Sequence, residues 1–362
     1  MLPARRPTVL HYTGSRWDGS GLHAVIRQLA QNPAGRSILG VTADYVPEKT
    51  PRLPVWRGPA IEADRIDLPN LWRALVVAWR VRRWLARGPH RIFHGHSRGA
   101  LLTGLWLRLL GSRRVVVSVH IYGRQCWFYR LARRWLGRRL VWLTPAMKRY
   151  YGYRETGWND CVPNGLASSW APAMRTGPMT AGTLRLGGAG MMVRLKRWDL
   201  VLEALARLPA GRAVEFYHIG GAVDLPDSRA CERELQALTQ NRGLSARVHW
   251  LGWQSSSAEL LRQVDAVVVA SDSESFSMIA LEALYAGLPV IATRGGGPED
   301  LILEGTNGWL VPAGDATGLA ACFGRCLDPA TWATLRLAPE HLRRFSVPAT
   351  LAARWLEIYA AL

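Results

Sequence analysis

The sequence predicts an α/β protein of two domains, each built on an open parallel sheet. Three observations carry this. Residues 264–270 form a short, β-branched apolar run of the kind that fills a strand buried on both faces. A polar turn, Ser271-Asp272-Ser273-Glu274, separates it from a helical pattern in which Phe276, Ile279, Ala280, Ala283, Leu284 and Leu288 recur three and four residues apart. Gly287-Leu288-Pro289 stops that helix, a second buried strand follows at 289–293, and Gly295-Gly296-Gly297-Pro298-Glu299 makes a glycine turn. The N-terminus repeats the theme with a strand at 8–12, a Gly-rich loop at 13–21 and a helix at 22–31. A length of 362 residues accommodates two such domains with full cores.

Along the first half, Gly19-x-Gly21-x-x-Ala24 fits a phosphate-cradling loop, with Asp44 near the position of a ribose-binding acid; a plain tight turn fits it equally. Three prolines make 45–57 read as a surface loop. Residues 70–87 are helical, with Leu71, Leu75, Ala78 and Val81 facing one way, Trp72, Val76 and Trp79 alongside, and Arg73, Arg80 and Arg87 in a cationic line. Strands at 91–96 and 115–120 each end in histidine, His96 and His120. Residues 127–139 repeat the Arg/Trp helical style, with Phe128, Leu131 and Trp135 set against arginines, and 140–144 is a further strand. The Pro-, Ala-, Gly- and Ser-rich stretch 167–183 reads as a linker, which sets domains at 1–170 and 171–345. The second domain opens with a strand at 184–193, the basic cluster Arg194-Leu195-Lys196-Arg197 and a helix at 199–208. Residues 216–221, 248–253 and the helix 257–264 continue the alternation, and a last helix occupies 349–361.

Charge is unevenly placed. The net charge is +19, yet residues 1–175 hold 29 Lys/Arg against 8 Asp/Glu, while the remainder holds 17 against 19. The first half therefore faces something anionic, a membrane surface or nucleic acid. Seventeen tryptophans, many beside arginines, favour the membrane interface, where an amphipathic ring and a snorkelling cation are both stable. The two Arg/Trp helices read as interfacial helices on anionic lipid; the plainer alternative is an apolar face in the core with solvated arginines. Apolar runs are too short for a signal peptide or a membrane span, and five scattered cysteines without zinc-ligand spacing suit a reducing cytoplasm.

Glu274 and Glu282 bracket the start of the helix that follows residues 264–270. Eight residues of helix span about 12 Å, too far for one shared proton or metal ion but suited to the two ends of an elongated polyhydroxylated ligand. Between them the backbone N–H groups of Ser275, Phe276, Ser277 and Met278 offer an anion site at a helix N-terminus. Carboxylate, anion site, carboxylate is the layout a sugar nucleotide needs.

The segment SDSESFSMIALEALYAGLPVIATRGGGPEDLILEGTNGWLVPAGD resembles the donor site of family 4 retaining glycosyltransferases, which have the GT-B fold. The matching places are Ser273, Glu274, Phe276, Glu282, Ala283, Gly287, Pro289, Val290, Gly295, Gly296, Glu299, Asn307, Gly308 and Asp315, with Ser277 where the pattern has Gly. The resemblance implies two Rossmann-like doubly wound domains facing across a cleft and a C-terminal crossover helix, 346–362, on the first. It implies that Glu274 holds the donor sugar and Glu282 the donor ribose. The backbone from Ser275 to Ile279 would meet the diphosphate. Gly19, Ser20 and Gly21 would close on it from the other domain, Trp253 would face the base, and His120 would lie beside the sugar, with His96 a second strand-end histidine of the same kind. Val162-Pro163-Asn164-Gly165 matches the close of the family's first domain. Lys196 falls on the family lysine that neutralises the leaving diphosphate. Arg194 is offered for its arginine partner, although a gapless match puts Met191 there, and Arg197 replaces a glycine.

The implied reaction moves a sugar, with retention, from a nucleoside diphosphate to a hydroxyl of a lipid-linked or oligosaccharide acceptor. A lipid-linked acceptor at the inner face of the cytoplasmic membrane, for envelope polysaccharide or lipopolysaccharide, is expected from the charge and the tryptophans rather than from the motif. No Asp-x-Asp metal motif is present, so neither metal nor cofactor is expected. A GT-B sugar-nucleotide epimerase or phosphorylase shares the fold. A nicotinamide-dependent oxidoreductase would explain only the first glycine loop. Nucleic-acid binding is not expected, because the basic half lacks aromatic RNP-type strands and zinc spacing.

Overall fold

The apolar β-branched runs assemble into two six-stranded sheets, both parallel throughout. The structure, a computed structural model, describes residues 6–14, 21–30, 35–45, 53–61, 66–123, 125–154, 157–166, 182–209, 213–223, 226–335, 341–342, 345 and 348–362. The chain divides into two units, Met1–Ala167 with Ser346–Leu362, and Ser168–Phe345.

The first unit runs β1 (Thr8–Tyr12), α1 (Gly21–Ala30), β2 (Arg36–Thr42), β3 (Val55–Gly58), α2 (Leu68–Ala86), β4 (Arg91–Gly95), α3 (Arg98–Leu109), β5 (Val115–Val119), α4 (Cys126–Leu136), β6 (Leu140–Trp142) and α5 (Pro145–Tyr150). Its strand order is β3-β2-β1-β4-β5-β6, the doubly wound Rossmann order, whose direction of growth reverses between β1 and β4. Residues 55–57, expected within a loop, instead belong to the edge strand Val55–Gly58 on β2. Only four residues long and preceded by Pro54, it carries no alternating pattern to read, and a proline just before a short edge strand removes no ladder bond.

The helix α2 starts where Asp67 accepts a hydrogen bond from the Asn70 N–H at 2.9 Å. It buries Asn70, Ala74, Val77, Ala78, Val81, Trp84 and Leu85, so the core-facing stripe is rotated from the one expected. Trp72 and Trp79 are left exposed beside arginines, and the Arg83 guanidinium lies 4.8 Å from the Trp79 ring centre. In α4 the core takes Phe128, Tyr129, Ala132 and Leu136. Trp127, Leu131 and Trp135, four residues apart, form an exposed apolar line. Leu131 and Trp135 therefore stand outside the core, because the chain turns a second, outer apolar stripe to solvent. Among the described residues no helix is long and apolar enough to cross a membrane.

The second unit runs β7 (Leu184–Ala189), α6 (Trp198–Ala206), β8 (Val214–Ile219), α7 (Pro226–Asn241), β9 (Val248–Trp250), α8 (Ala258–Gln263), β10 (Ala266–Val269), α9 (Met278–Tyr285), β11 (Val290–Thr293), β12 (Gly308–Val311), α10 (Ala316–Cys326) and α11 (Pro329–Thr334). The order β12-β11-β10-β7-β8-β9 is the same Rossmann order read from the other edge, with its switch point between β7 and β10. Asn307-Gly308 has a local cause: a Cβ on Gly308 would stand 2.0 Å from the Val290 carbonyl oxygen, so only glycine lets β12 reach β11. The buried Asn307 side chain accepts from the Leu303 N–H at 2.8 Å. The last helix, α12 (Pro348–Ala360), belongs to the first unit, where Trp355 packs with Val9, Ile92, Val116, Val141 and Val162. All five cysteines are free thiols, four of them buried.

Candidate active site at a strand switch point

In doubly wound sheets ligands bind outside the carboxyl ends of the strands at the switch point. In the second unit that point lies between β7 and β10, and the loops leaving these two strands are tied together there. The Asp272 N–H donates to the Leu195 carbonyl at 3.0 Å. Lys196, in a 3-10 turn after β7, forms an ion pair with Glu274, which follows β10. Arg197 reaches Asp272 at 2.9 Å and Asp199 at 3.1 Å. One main-chain bond and two ion pairs thus bring Lys196 and Glu274, 78 residues apart, to one place.

Glu274 is held by its backbone as well. Its N–H donates to the Gly295 carbonyl at 2.8 Å and its carbonyl accepts from Gly297 at 2.7 Å, one rung of parallel ladder against the glycine turn. A Cβ on Gly297 would stand 2.5 Å from the Phe276 nitrogen, which is why the turn is glycine there. Ser271 donates to the same Glu274 oxygen that takes the lysine, at 3.3 Å. The spacing argument needs correction here: Glu274 lies in an extended bridge, and helix begins only at Met278. The run from Glu274 to Glu282 is therefore loop and helix, not eight residues of helix.

Ser277 caps α9 from a left-handed backbone, φ 69° and ψ 87°. It is buried, and its hydroxyl has no hydrogen-bond partner among the described residues. Arg197, at the other position where a glycine was expected, is also left-handed, at φ 50°. Both departures thus stand where the backbone itself calls for glycine; at Arg197 the two aspartates hold the conformation. Phe276 is buried against Phe345 with ring centres 5.9 Å apart, so its side chain anchors the loop and only its backbone is on offer. Ser275, Met278 and Ile279 are half-buried.

Glu282 accepts from the Ser257 hydroxyl at 2.5 Å, and burial pushes its carboxyl above the usual range, the serine opposing the shift. Ser257 had no signal in the sequence; it precedes α8 and links Glu282 to the stretch after β9 that also carries Trp253. Trp253 is exposed, its Nε1 donating to the Ala222 carbonyl at 3.3 Å. Arg194 stands apart from the Lys196–Glu274 pair and bonds Glu234 of α7 at 2.8 Å, both side chains largely in solvent. Met191 is exposed. In the first unit, half-buried His120 follows β5 and shares a hydrogen bond with His96 at 3.1 Å. Gly21 opens α1, whereas Gly19 and Ser20 lie outside the described residues.

The profile of the family described as "Glycosyl transferases group 1" matches residues 184–328, from β7 to just past α10. Among curated proteins, the chain is 34% identical over 131 residues to the lipopolysaccharide core biosynthesis glycosyltransferase LpsE of Rhizobium meliloti, covering 36% of each chain. It is 42% identical over 127 residues to the N-acetyl-alpha-D-glucosaminyl L-malate synthase of Bacillus anthracis, covering 35% of this chain and 32% of that protein. The chain thus spans about a third of the length of these relatives. Among solved structures, Anabaena Alr3699/HepE in complex with UDP superposes with TM-score 0.75 at 20% identity, over 98% of this chain and all of that one. The apo lipopolysaccharide outer core galactosyltransferase WaaB superposes with TM-score 0.73 at 18% identity, over 98% of this chain and 100% of that one. The fold is GT-B, with two Rossmann-like domains.

Proposed function

We propose that this chain is a retaining glycosyltransferase of family 4 that moves a sugar from a nucleoside diphosphate to a hydroxyl of a lipid-linked or polysaccharide acceptor in bacterial envelope biosynthesis. One observation carries the reading. A lysine and a carboxylate converge at the switch point of a Rossmann-ordered sheet, a short loop and one helix turn before a second, half-buried carboxylate, within the segment that the glycosyltransferase profile matches.

In this reading the diphosphate lies on the N–H groups opening α9, with the Lys196 ammonium drawn from Glu274 to the phosphate as negative charge develops there. Glu274 then turns to the sugar hydroxyls and Glu282 to the ribose hydroxyls. The bond from the anomeric carbon to the phosphate oxygen breaks, and the acceptor oxygen bonds to the same face. The acceptor proton passes to the departing phosphate, so neither a protein nucleophile nor a divalent cation is needed. Support for a peripheral membrane location comes from the exposed line Trp127, Leu131 and Trp135 with Trp72 and Trp79, set among arginines. Such a surface suits the interface of an anionic leaflet.

The test is binding and slow hydrolysis over a panel of UDP-, GDP-, ADP- and dTDP-sugars, for wild type and Glu282→Ala, with and without EDTA. One preferred donor, weakened in the variant and indifferent to EDTA, is expected. Binding of none refutes the reading. Co-sedimentation with phosphatidylglycerol but not phosphatidylcholine vesicles, reduced in Trp127→Ser/Trp135→Ser, is expected for the membrane surface.

A further inference from the structure

One face of the first unit's sheet carries a run of histidines. His11 on β1 and His94 on β4 are register partners, His96 follows β4, and His120 follows β5. His11, His94 and His96 are at most 2% exposed. Nδ1 of His11 lies 3.0 Å from Nε2 of His96, and Nδ1 of His96 lies 3.1 Å from Nε2 of His120. At the inner end, Nε2 of His11 meets the Ser37 hydroxyl at 3.4 Å, beside a cavity of about 20 Å³, room for one water.

Nitrogens of His11, His94 and His96 gather within 4.8 Å of one another, which raises the question of a metal ion. The hydrogen bonds argue otherwise. Nδ1 of His11 and Nε2 of His96 are engaged with each other. Both nitrogens of His94 are already engaged, Nδ1 with the Tyr359 hydroxyl at 2.8 Å and Nε2 with Ser118 at 2.7 Å.

Each ring-to-ring contact is N···N, so it holds a single proton, given by one ring and received by the next. The contacts run head to tail, Nδ1 to Nε2, twice. If His11 donates from Nδ1, His96 must also be protonated on Nδ1, and then so must His120. If His120 donates from Nε2, all three are Nε2–H. Three neutral rings in this array therefore share one tautomer. Burial holds His11 down to about 3 and His120 to about 4, which keeps both rings neutral near pH 7.

We propose that His11 and His96 are positioning residues that lock His120 into one tautomer common to all three rings, so that its remaining nitrogen, Nδ1, meets a sugar hydroxyl with a fixed hydrogen-bond sense. This deepens, and rests on, the reading of His120 as a contact to the donor sugar. The array supplies the side-chain partner that holds the ring, since an imidazole at a strand end otherwise turns freely about two side-chain bonds.

The experiment is long-range ¹H–¹⁵N correlation of the ¹⁵N-histidine-labelled full chain at pH 7, without ligand. The expected spectrum shows His11, His96 and His120 as the same neutral tautomer. In His96→Phe, which keeps a ring and removes its nitrogens, the His120 signals move to averaged, mixed-tautomer positions. Different tautomers in the wild type, or His120 signals unmoved in His96→Phe, overturn the proposal. So does a shift of His11, His94 and His96 together on adding one equivalent of ZnCl₂, which would make that cluster a metal site. Where His96→Phe does not fold, the wild-type spectrum decides. In turnover of the sugar nucleotide that the wild type hydrolyses, His96→Phe is expected to lower kcat about tenfold with little change in KM. If no sugar nucleotide binds, the functional reading fails while the spectrum still decides the array.

Discussion

Replacing Ser277 by glycine should make the protein more stable. Ser277 holds a left-handed backbone at φ 69° and buries a hydroxyl without a partner among the described residues. A non-glycine residue in a sparsely populated backbone region costs about 1–3 kcal/mol, and an unmade buried hydrogen bond about 1–3 kcal/mol more. Against these stand the extra unfolded-state entropy of glycine, roughly 0.5–1 kcal/mol, and a small void. Taking the low end of each gain leaves a net stabilisation of about 1–1.5 kcal/mol. At roughly 2–4 °C per kcal/mol for a unit of this size, Tm rises by about 2–6 °C. Ser277→Ala separates the causes, because it removes the hydroxyl and keeps the strained φ; its gain should be smaller. Calorimetry of the wild type and both variants measures the stabilities. A Tm for Ser277→Gly at or below that of the wild type would refute the strain argument. Alanine and glycine variants of equal Tm would place the whole effect in the hydroxyl.

Three further outcomes are expected. Lys196→Met should lower turnover of the preferred donor by about 10²–10³-fold, the loss typical when one preorganised charge-stabilising donor is removed; unchanged turnover would remove Lys196 from the mechanism. His218→Phe should raise Tm modestly, by about 1 kcal/mol of stability. His218 is fully buried between Trp198 and Trp250 with both ring nitrogens unpaired among the described residues, and phenylalanine keeps the ring contacts. Stability should also fall with acid. Burial lowers His11 to about 3 and His120 to about 4, so these rings take up a proton on unfolding but not in the native state below pH 6.5. The stabilisation present at neutral pH is lost between about 6.5 and 4, by roughly 3 kcal/mol for each such ring. Urea unfolding at pH 7 and pH 4 measures this, and His11→Gln should flatten the dependence.

The order of strands and helices was legible because a β-branched run buried on both faces has few other uses. Lys196, Glu274 and Glu282 stood out because the segment joining strand, loop and helix carries so many residues of one pattern. What was hidden depended on contacts between distant parts of the chain. That Lys196 pairs with Glu274 follows from β7 and β10 being neighbours, which no local pattern states. Ser257 had no mark at all, since a hydroxyl before a helix reads as a cap until Glu282 is seen against it. Trp72 and Trp79 were placed alongside the stripe of Leu71, Leu75, Ala78 and Val81 from hydrophobicity, yet the helix phase is set by which stripe meets the sheet, and small residues such as Ala74 and Ala78 are the ones buried. The glycine departures at Arg197 and Ser277 were visible as residues; their left-handed backbones were not. The histidine array required the register of β1 on β4, 83 residues apart in sequence.

The return of α12 to the first unit has a consequence for how the molecule is made. Trp355 closes the core over β1, β4, β5 and β6, and Tyr359 completes the hydrogen bonds of His94. On the ribosome these residues appear after the whole second unit. The N-terminal sheet, synthesised first, therefore has one face only partly covered through the synthesis of some 180 residues, while the second unit holds all of its own strands and can finish before it. Vectorial synthesis thus leaves the second unit free to complete its own sheet before α12 closes the core of the first.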